Sequence, residues 1–308
     1  MTAPFRGRFF GRVQQAVCAT GTLFQTGNLA FKVFCMDFKP ISPNTVWLLT
    51  ALSRAWFKPV IFGMENLKHG GGPYLFVGNH TIYGVLDVGI YAAHLYREKG
   101  IYLRGLGDYF HFKVPVWGEL LKAIGAVEGT PEECSRLMEE GHNIVVYPGG
   151  GREVCKRKGE AYKLIWKERT GFARLAIKHG YPIVPFASVG PENAYSILFD
   201  ADDFLNTRLA KFLQRKGLLD SLLRNGEAVP PIARGIGPTI IPRPEKLYTG
   251  FTKPIDTSHL AGQDNDENAV MRLRLQVEQA IYLEMGRLLH YREQDKDKGL
   301  LRRFLTRL

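Results

Sequence analysis

Short apolar-rich runs recur along the chain at Tyr74 to Val77, Tyr102 to Leu106, Asn143 to Pro148 and Pro182 to Val189, most of them bounded by glycine, proline or polar residues. Runs of this length without polar alternation suit buried strands of a parallel or mixed sheet. Between them the apolar period lengthens to that of a helix. Val85 to Glu98 predicts a helix ended by Gly100, and Pro115 to Ile124 predicts another. Thr130 followed by Pro131, Glu132 and Glu133 is a helix start: a hydroxyl cap, proline at the first position and acids in the first turn, with the stop near Gly141. Thr170 to His179 predicts a further helix, ended by Gly180. Strands alternating with helices imply an α/β fold, a single domain with a mixed, mostly parallel sheet flanked by helices.

The flanks read differently. Thr45 to Phe57 carries Trp47, Leu48, Ala51, Leu52 and Ala55 at helical spacing behind a predicted N-cap at Asn44, so 1–66 is expected to be an amphipathic helical region that packs on the main domain or rests on lipid. Residues 67–192 form the expected catalytic core, and 193–308 complete the sheet and helices. In that last part, Phe204 to Leu223 predicts a helix with Arg208, Lys211 and Arg215 beside an apolar face, either lying on a membrane or packed with a solvated basic flank. Ile236 to Ile255 predicts a pair of short strands closing the sheet, and Asp266 to His290 a long terminal helix. The tail LLRRFLTRL is basic and apolar, either frayed or touching anionic lipid.

Charge sharpens this picture. Among 308 residues, 41 Lys and Arg against 30 Asp and Glu give a formal +11, which points to an anionic partner: a phosphate-bearing substrate, a membrane surface or nucleic acid. The basic residues sit beside glycine turns and apolar helices rather than in a nucleic-acid module, so no nucleic-acid partner is expected. Cys18, Cys35, Cys134 and Cys155 are scattered without a CxxC pair, which argues against a zinc site and a disulfide framework. Val13 to Phe31 is free of charge for 19 residues but holds seven of Gln, Thr and Asn, so it could lie on a membrane but is not expected to cross one. No secretory leader is read at the N-terminus. The expected location is peripheral, on the cytoplasmic face of a membrane.

The candidate chemistry centres on YLFVGNHTIYGVLD, where the first strand breaks at Gly78 and Asn79 and delivers His80 to the following turn. That turn lies at the carboxyl end of the strands, where open α/β sheets bind ligands, so His80 is either a base acting on a bound hydroxyl or a histidine satisfied by backbone groups. Asp87 is seven positions on; were the chain helical from Gly84, it could orient the imidazole, and otherwise it serves the helix's first turns. The strand NIVVYP runs into Gly149, Gly150, Gly151, Arg152 and Glu153, glycines that free the backbone to approach an anion or oxyanion. Behind them Lys156, Arg157, Lys158, Lys163, Lys167 and Arg169 crowd one segment, either a solvated loop or a set of phosphate contacts.

These stretches resemble the glycerolipid acyltransferase family. Asn79 and His80 match its first block, Asn-His, four residues and Asp; here Val85 stands at the acid's place and Asp87 is two positions later. The family's third block resembles Tyr147, Pro148, Gly149, Gly150, Gly151 and Arg152, without its glutamate. Gly150, Gly151 and Glu153, with Arg169, Gly171, Phe172, Arg174, Ala176, Gly180, Val184 and Pro185, are similar to the diacylglycerol acyltransferase type 2 branch. The second block is represented loosely by Gly125, Ala126 and Val127. The resemblance spans about Leu67 to Glu192. It implies that His80 deprotonates an acceptor hydroxyl, oriented by Asp87, and that the alkoxide attacks the thioester of acyl-CoA or an acyl carrier protein. Asn79, Gly149, Gly150, Gly151, Arg152, Glu153, Arg157, Lys158 and Arg169 would bind substrate, with Arg152 on a phosphate or polar head and the basic loop on the phosphates of the carrier. It implies no metal and no cofactor. Two rivals remain open, an acyl thioesterase with water as acceptor and a non-catalytic lipid-binding protein of the same fold.

Overall fold

The computed structural model describes residues 38–217, 219, 227–296 and 299–307. Cys18, Cys35 and the stretch Val13 to Phe31 lie outside them. Lys39 to Leu308 forms one unit.

Helices α1 (Pro43–Leu49) and α2 (Ala51–Phe57) occupy the predicted first helix, but the chain is interrupted at Thr50. The Thr50 hydroxyl bonds back to the carbonyls of Val46 and Trp47, which caps α1 and competes with continuing the helix. The cap at the start is Ser42, whose Oγ accepts from the Thr45 amide at 3.2 Å, rather than Asn44. Then follow β1 (Val60–Phe62), β2 (Leu75–Gly78), α3 (Val88–Lys99), β3 (Leu103–Gly107), α4 (Tyr109–Lys113), α5 (Trp117–Ala123), β4 (Val127–Glu128), α6 (Pro131–Glu139), β5 (Asn143–Val146), α7 (Gly150–Val154), α8 (Gly171–His179) and β6 (Ile183–Val189). Gly100 and Gly180 end α3 and α8 in the left-handed region, and Thr130 Oγ1 accepts from the Glu133 amide, as the sequence predicts.

Beyond β6 come β7 (Ser196–Phe199), α9 (Ala201–Leu205), α10 (Arg208–Arg215), β8 (Ile232–Arg234), β9 (Tyr248–Phe251), α11 (Glu267–Gln294) and α12 (Leu300–Arg307). Two expectations change here. Phe204 to Leu223 is not one helix: Thr207 caps α10, its hydroxyl accepting from the Ala210 amide, and so separates it from α9. Residues 218 and 220–226 lie outside the described residues. Ile236 to Ile255 supplies one strand of the main sheet rather than two, because Pro238, Pro242 and Pro244 remove ladder donors before Tyr248.

The main sheet has seven strands in the order β1-β9-β6-β2-β5-β3-β4, all neighbours parallel except the antiparallel pair β6 and β9. A separate antiparallel pair joins β7 and β8. Both β2 and β6 are buried along their whole length, as strands covered on two faces must be. Side chains alternate between the faces. Leu75, Val77, Ile183, Ala187 and Val189 meet Leu137, Ala173, Ile177, Val277 and Ile281 from α6, α8 and α11. Phe76, Val184 and Phe186 turn the other way, onto Tyr91 and Leu95 of α3. This three-layer arrangement brings the carboxyl ends of the adjacent parallel strands β5, β2 and β6 to one edge, with His80 after β2, Gly149 to Lys156 after β5 and Glu192 after β6.

Candidate active site

Asn79 fastens the start of the histidine turn to β6. Its side-chain amide donates to the Ser188 carbonyl at 3.0 Å and accepts from the Ser188 amide at 2.8 Å, extending the ladder by one side chain. The next residue, His80, leaves the sheet. Its ring stacks on Tyr147 at the end of β5, with centroids 4.0 Å apart and planes 13° apart. On the edge toward Gly84 the backbone comes so close that a Cβ there would lie 2.3 Å from His80 Cε1, and Gly84 also has φ +66°. Only glycine serves at that position. Burial, then the Lys156 ammonium, then His111 push the imidazole's pKa down to about 3. His80 is therefore a neutral base throughout the physiological range, the state a proton acceptor needs.

Asp87 is buried too, but its hydrogen bonds go elsewhere. Its Oδ1 accepts from Thr81 Oγ1 at 3.0 Å, and the Ser188 hydroxyl also lowers its pKa against a larger upward push from burial. The chain from His80 to Asp87 is not one helix: it passes through a turn at Ile82–Gly84, and α3 begins only at Val88. The expectation that a shared helical face brings the two together therefore fails, and among the described residues no contact joins the Asp87 carboxylate to the imidazole. Asp87 acts on the residue after His80 instead. Asp87→Asn should thus lower stability by about 1–3 kcal/mol through the disturbed Thr81 and Ser188 hydroxyls, and turnover by less than about tenfold. Chemical denaturation and single-turnover kinetics on one preparation check this, and a loss near the 10⁴-fold of a triad aspartate would restore direct orientation.

The three glycines after β5 divide their work. Gly149 lies against the Glu153 carboxylate, where a Cβ would come within 1.8 Å of Oε2. Gly150 takes φ +50° and starts α7, while nothing crowds Gly151. Glu153 is fully buried beneath this turn, with Lys156 and Glu192 beside it. Lys156 Nζ stands 4.0 Å from Glu153 and 3.9 Å from Glu192, and donates to the Lys163 carbonyl at 3.3 Å. Burial raises Glu153 to about 8, opposed by Lys156, the His80 amide and the Trp166 indole and reinforced by Glu192. Glu192 is raised to about 7 for the same reason, again opposed by Lys156. One ammonium between two carboxylates leaves about one proton shared by the acids near neutral pH.

Four further basic residues of the turn and the loop behind it have internal partners. Arg152 forms a two-pronged ion pair with Glu160, whose Oε2 also accepts the Arg157 amide. Arg157 pairs with Asp202 at 2.7 Å and Lys158 with Asp203 at 2.7 Å. Arg169 donates to the carbonyls of Pro148 and Gly149, bracing the glycine turn from outside. In this structure Arg152, Arg157 and Lys158 are thus charge-paired with Glu160, Asp202 and Asp203, while Arg169 bonds only to backbone carbonyls. A cavity of about 250 Å³ opens between this loop and the histidine turn, lined by Ile82, Lys156, Ala161, Glu192, Tyr195 and Ile197 among others.

A profile of the Acyltransferase family matches residues 58–189, from the start of β1 to the end of β6. Residues 58–189 thus carry the acyltransferase family's pattern. The match includes His80 and the whole glycine turn and stops three residues short of Glu192. Over 262 residues the chain is 34% identical to phytyl ester synthase 2, chloroplastic, of Arabidopsis thaliana, covering 80% of this chain and 36% of that protein. It is 31% identical over 166 residues to the "DGAT1/2-independent enzyme synthesizing storage lipids" of Mus musculus, covering 53% of this chain and 47% of that one. The chain thus spans about a third of the plant synthase and under half of the mouse enzyme. Among solved structures, the 1-acyl-sn-glycerophosphate acyltransferase PlsC of Thermotoga maritima superposes with a TM-score of 0.46 at 14% identity, over 77% of this chain and 79% of that one.

Several members of this site were not singled out from sequence. Tyr147 was visible as a family position, but its stacking on His80 and the bond between its hydroxyl and that of Tyr91 depend on the register of β2 and β5. Lys156 looked like one cation in a basic run, and its burial is what marks it. Glu192 and Ser188 carry no local signal: both act by closing on residues more than 30 positions away.

Proposed function

We propose that this acyltransferase moves a fatty acyl group from a thioester donor to an uncharged alcohol at a membrane surface. What carries the reading is the pairing of the cations in the cavity wall and in the turn behind it. Arg152, Arg157 and Lys158 each face a carboxylate, and Lys156 stands between two. A phosphate-bearing acceptor would have to break such pairs and meet several acidic groups, whereas a neutral hydroxyl displaces none of them. The names of the similar plant and mouse proteins, a phytyl ester synthase and a storage-lipid enzyme, also fit neutral acceptors.

In this scheme His80 accepts the proton of the acceptor hydroxyl as its oxygen attacks the thioester carbonyl. A C–O bond forms, amides of the turn after β5 receive the oxyanion, and collapse breaks the C–S bond. The imidazolium returns the proton to the departing thiolate, so the reaction leaves no net charge behind. Exposed Leu48, Leu49 and Leu52 on α1 and α2, and Leu209 and Phe212 on α10, offer apolar contact to lipid next to basic residues. Among the described residues, no helix is long and apolar enough to cross a membrane.

The test is acyl transfer from acyl-CoA to a matched panel of a long-chain alcohol, monoacylglycerol, diacylglycerol and lysophosphatidate, resolved by mass spectrometry. We expect neutral acceptors to exceed lysophosphatidate in kcat/KM by at least about tenfold, the value of one disrupted charge-assisted contact. A preference for lysophosphatidate would overturn the reading.

A further inference from the structure

Glu192 stands just past β6 in the turn Pro191–Ala194, outside the matched family region, and the acyl-transfer scheme makes no use of it. Its side chain is 3% exposed and lines the cavity beside the histidine turn. Neither of its oxygens has a well-formed hydrogen bond from a protein group, and Lys156 at 3.9 Å is too distant to supply one. A buried carboxylate left in this state is costly, and a donor entering the cavity relieves the cost. The two substrates differ in what they can give. The thioester group presents only acceptor atoms and its carrier's phosphates are anionic, so neither of these can hydrogen-bond to the carboxylate. An alcohol has an O–H donor and an apolar chain that fits against Ile82, Tyr195 and Ile197.

We propose that Glu192 is an acceptor-binding residue: its carboxylate takes a hydrogen bond from a hydroxyl of the alcohol, held in place by the Lys156 ammonium. Lys156 serves two groups in this arrangement, fixing Glu192 while its field adds to the burial that keeps His80 neutral. The inference rests on the neutral-acceptor reading and adds to it the wall of the cavity on which the alcohol is sorted.

Steady-state kinetics of Glu192→Leu and Glu192→Gln test it, varying diacylglycerol or a long-chain alcohol and acyl-CoA in turn. Losing a hydrogen bond to a charged group should raise the acceptor KM about tenfold or more in the leucine variant. The glutamine variant, which keeps a neutral acceptor, should fall between it and the wild type. The KM for acyl-CoA should move less than about twofold in both. Acceptor-induced protection against thermal unfolding, present in the wild type, should weaken in the same order. An unchanged acceptor KM, or equal rises for both substrates, would overturn the assignment, and the isosteric glutamine variant decides the matter if the leucine variant does not fold. The two readings fail separately: a wild type that prefers lysophosphatidate removes the neutral-acceptor reading, whereas a wild type that uses neutral alcohols with an indifferent Glu192 removes only this one.

Discussion

His80→Ala should lower acyl transfer by about 100-fold to 10,000-fold while the protein stays folded, the usual consequence of removing a positioned general base. The side chain stacks on Tyr147 and packs against Gly84, with no hydrogen bond among the described contacts, so its loss leaves a small cavity and should lower the melting temperature without unfolding the protein. A second signature follows from its environment. Because burial and Lys156 hold the imidazole's pKa near 3, the basic form persists well below pH 6.5. In the Glu192→Gln protein, where the cavity carboxyl raised to about 7 no longer titrates, the acid limb of kcat/KM should therefore lie below about pH 5 rather than at the ordinary histidine value. Residual activity within a few-fold of wild type in a folded His80→Ala protein would remove the histidine from the mechanism, and an acid limb at 6.5 would mean that the ring titrates as if solvated.

The elements that sequence placed well are those whose signals are local. The cap at Thr130, the glycine stops at Gly100 and Gly180 and the apolar runs of β2 and β6 each depend on a few neighbouring residues, and each appears within a residue or two of its expected bounds. The turn carrying His80 was legible for the same reason. What failed to show was either competition within a segment or pairing across the sheet. Thr50 could have sat silently in one helix; that its hydroxyl ends α1 depends on a rotamer. The carboxylates Glu160, Asp202 and Asp203 turn an apparent phosphate-binding run into internal ion pairs, and two of the three lie more than 40 residues beyond their partners. Asp87 has the opposite history. Its spacing suggested a partner for His80, but a tight turn with two successive positive φ values, at Tyr83 and Gly84, redirects the chain before α3 begins.

Replacing Glu153 by glutamine should reverse part of the protein's pH dependence of stability. In the folded state the carboxyl titrates at about 8 against an ordinary 4.5, chiefly because ionising it means charging a group cut off from water. The native protein therefore holds a proton between those values that the unfolded chain has released. This makes stability fall as pH rises through the window, with the full loss present above 8 and none below 4.5. Three and a half pH units at ~1.4 kcal/mol each set an upper bound of about 5 kcal/mol, and the part realised depends on Lys156, which favours the ionised form, and on Glu192, which opposes it. Glu153→Gln keeps the shape and the neutral state. The stability of the variant relative to wild type should consequently climb by a few kcal/mol from pH 5 to pH 9. Taking the difference cancels the contribution of His80, whose depressed pKa acts with the opposite sign between about 3 and 6.5. Urea unfolding of both proteins at closely spaced pH values measures it, and a difference that stays constant from pH 5 to pH 9 would mean that Glu153 ionises as an ordinary surface acid and holds no proton beneath the glycine turn.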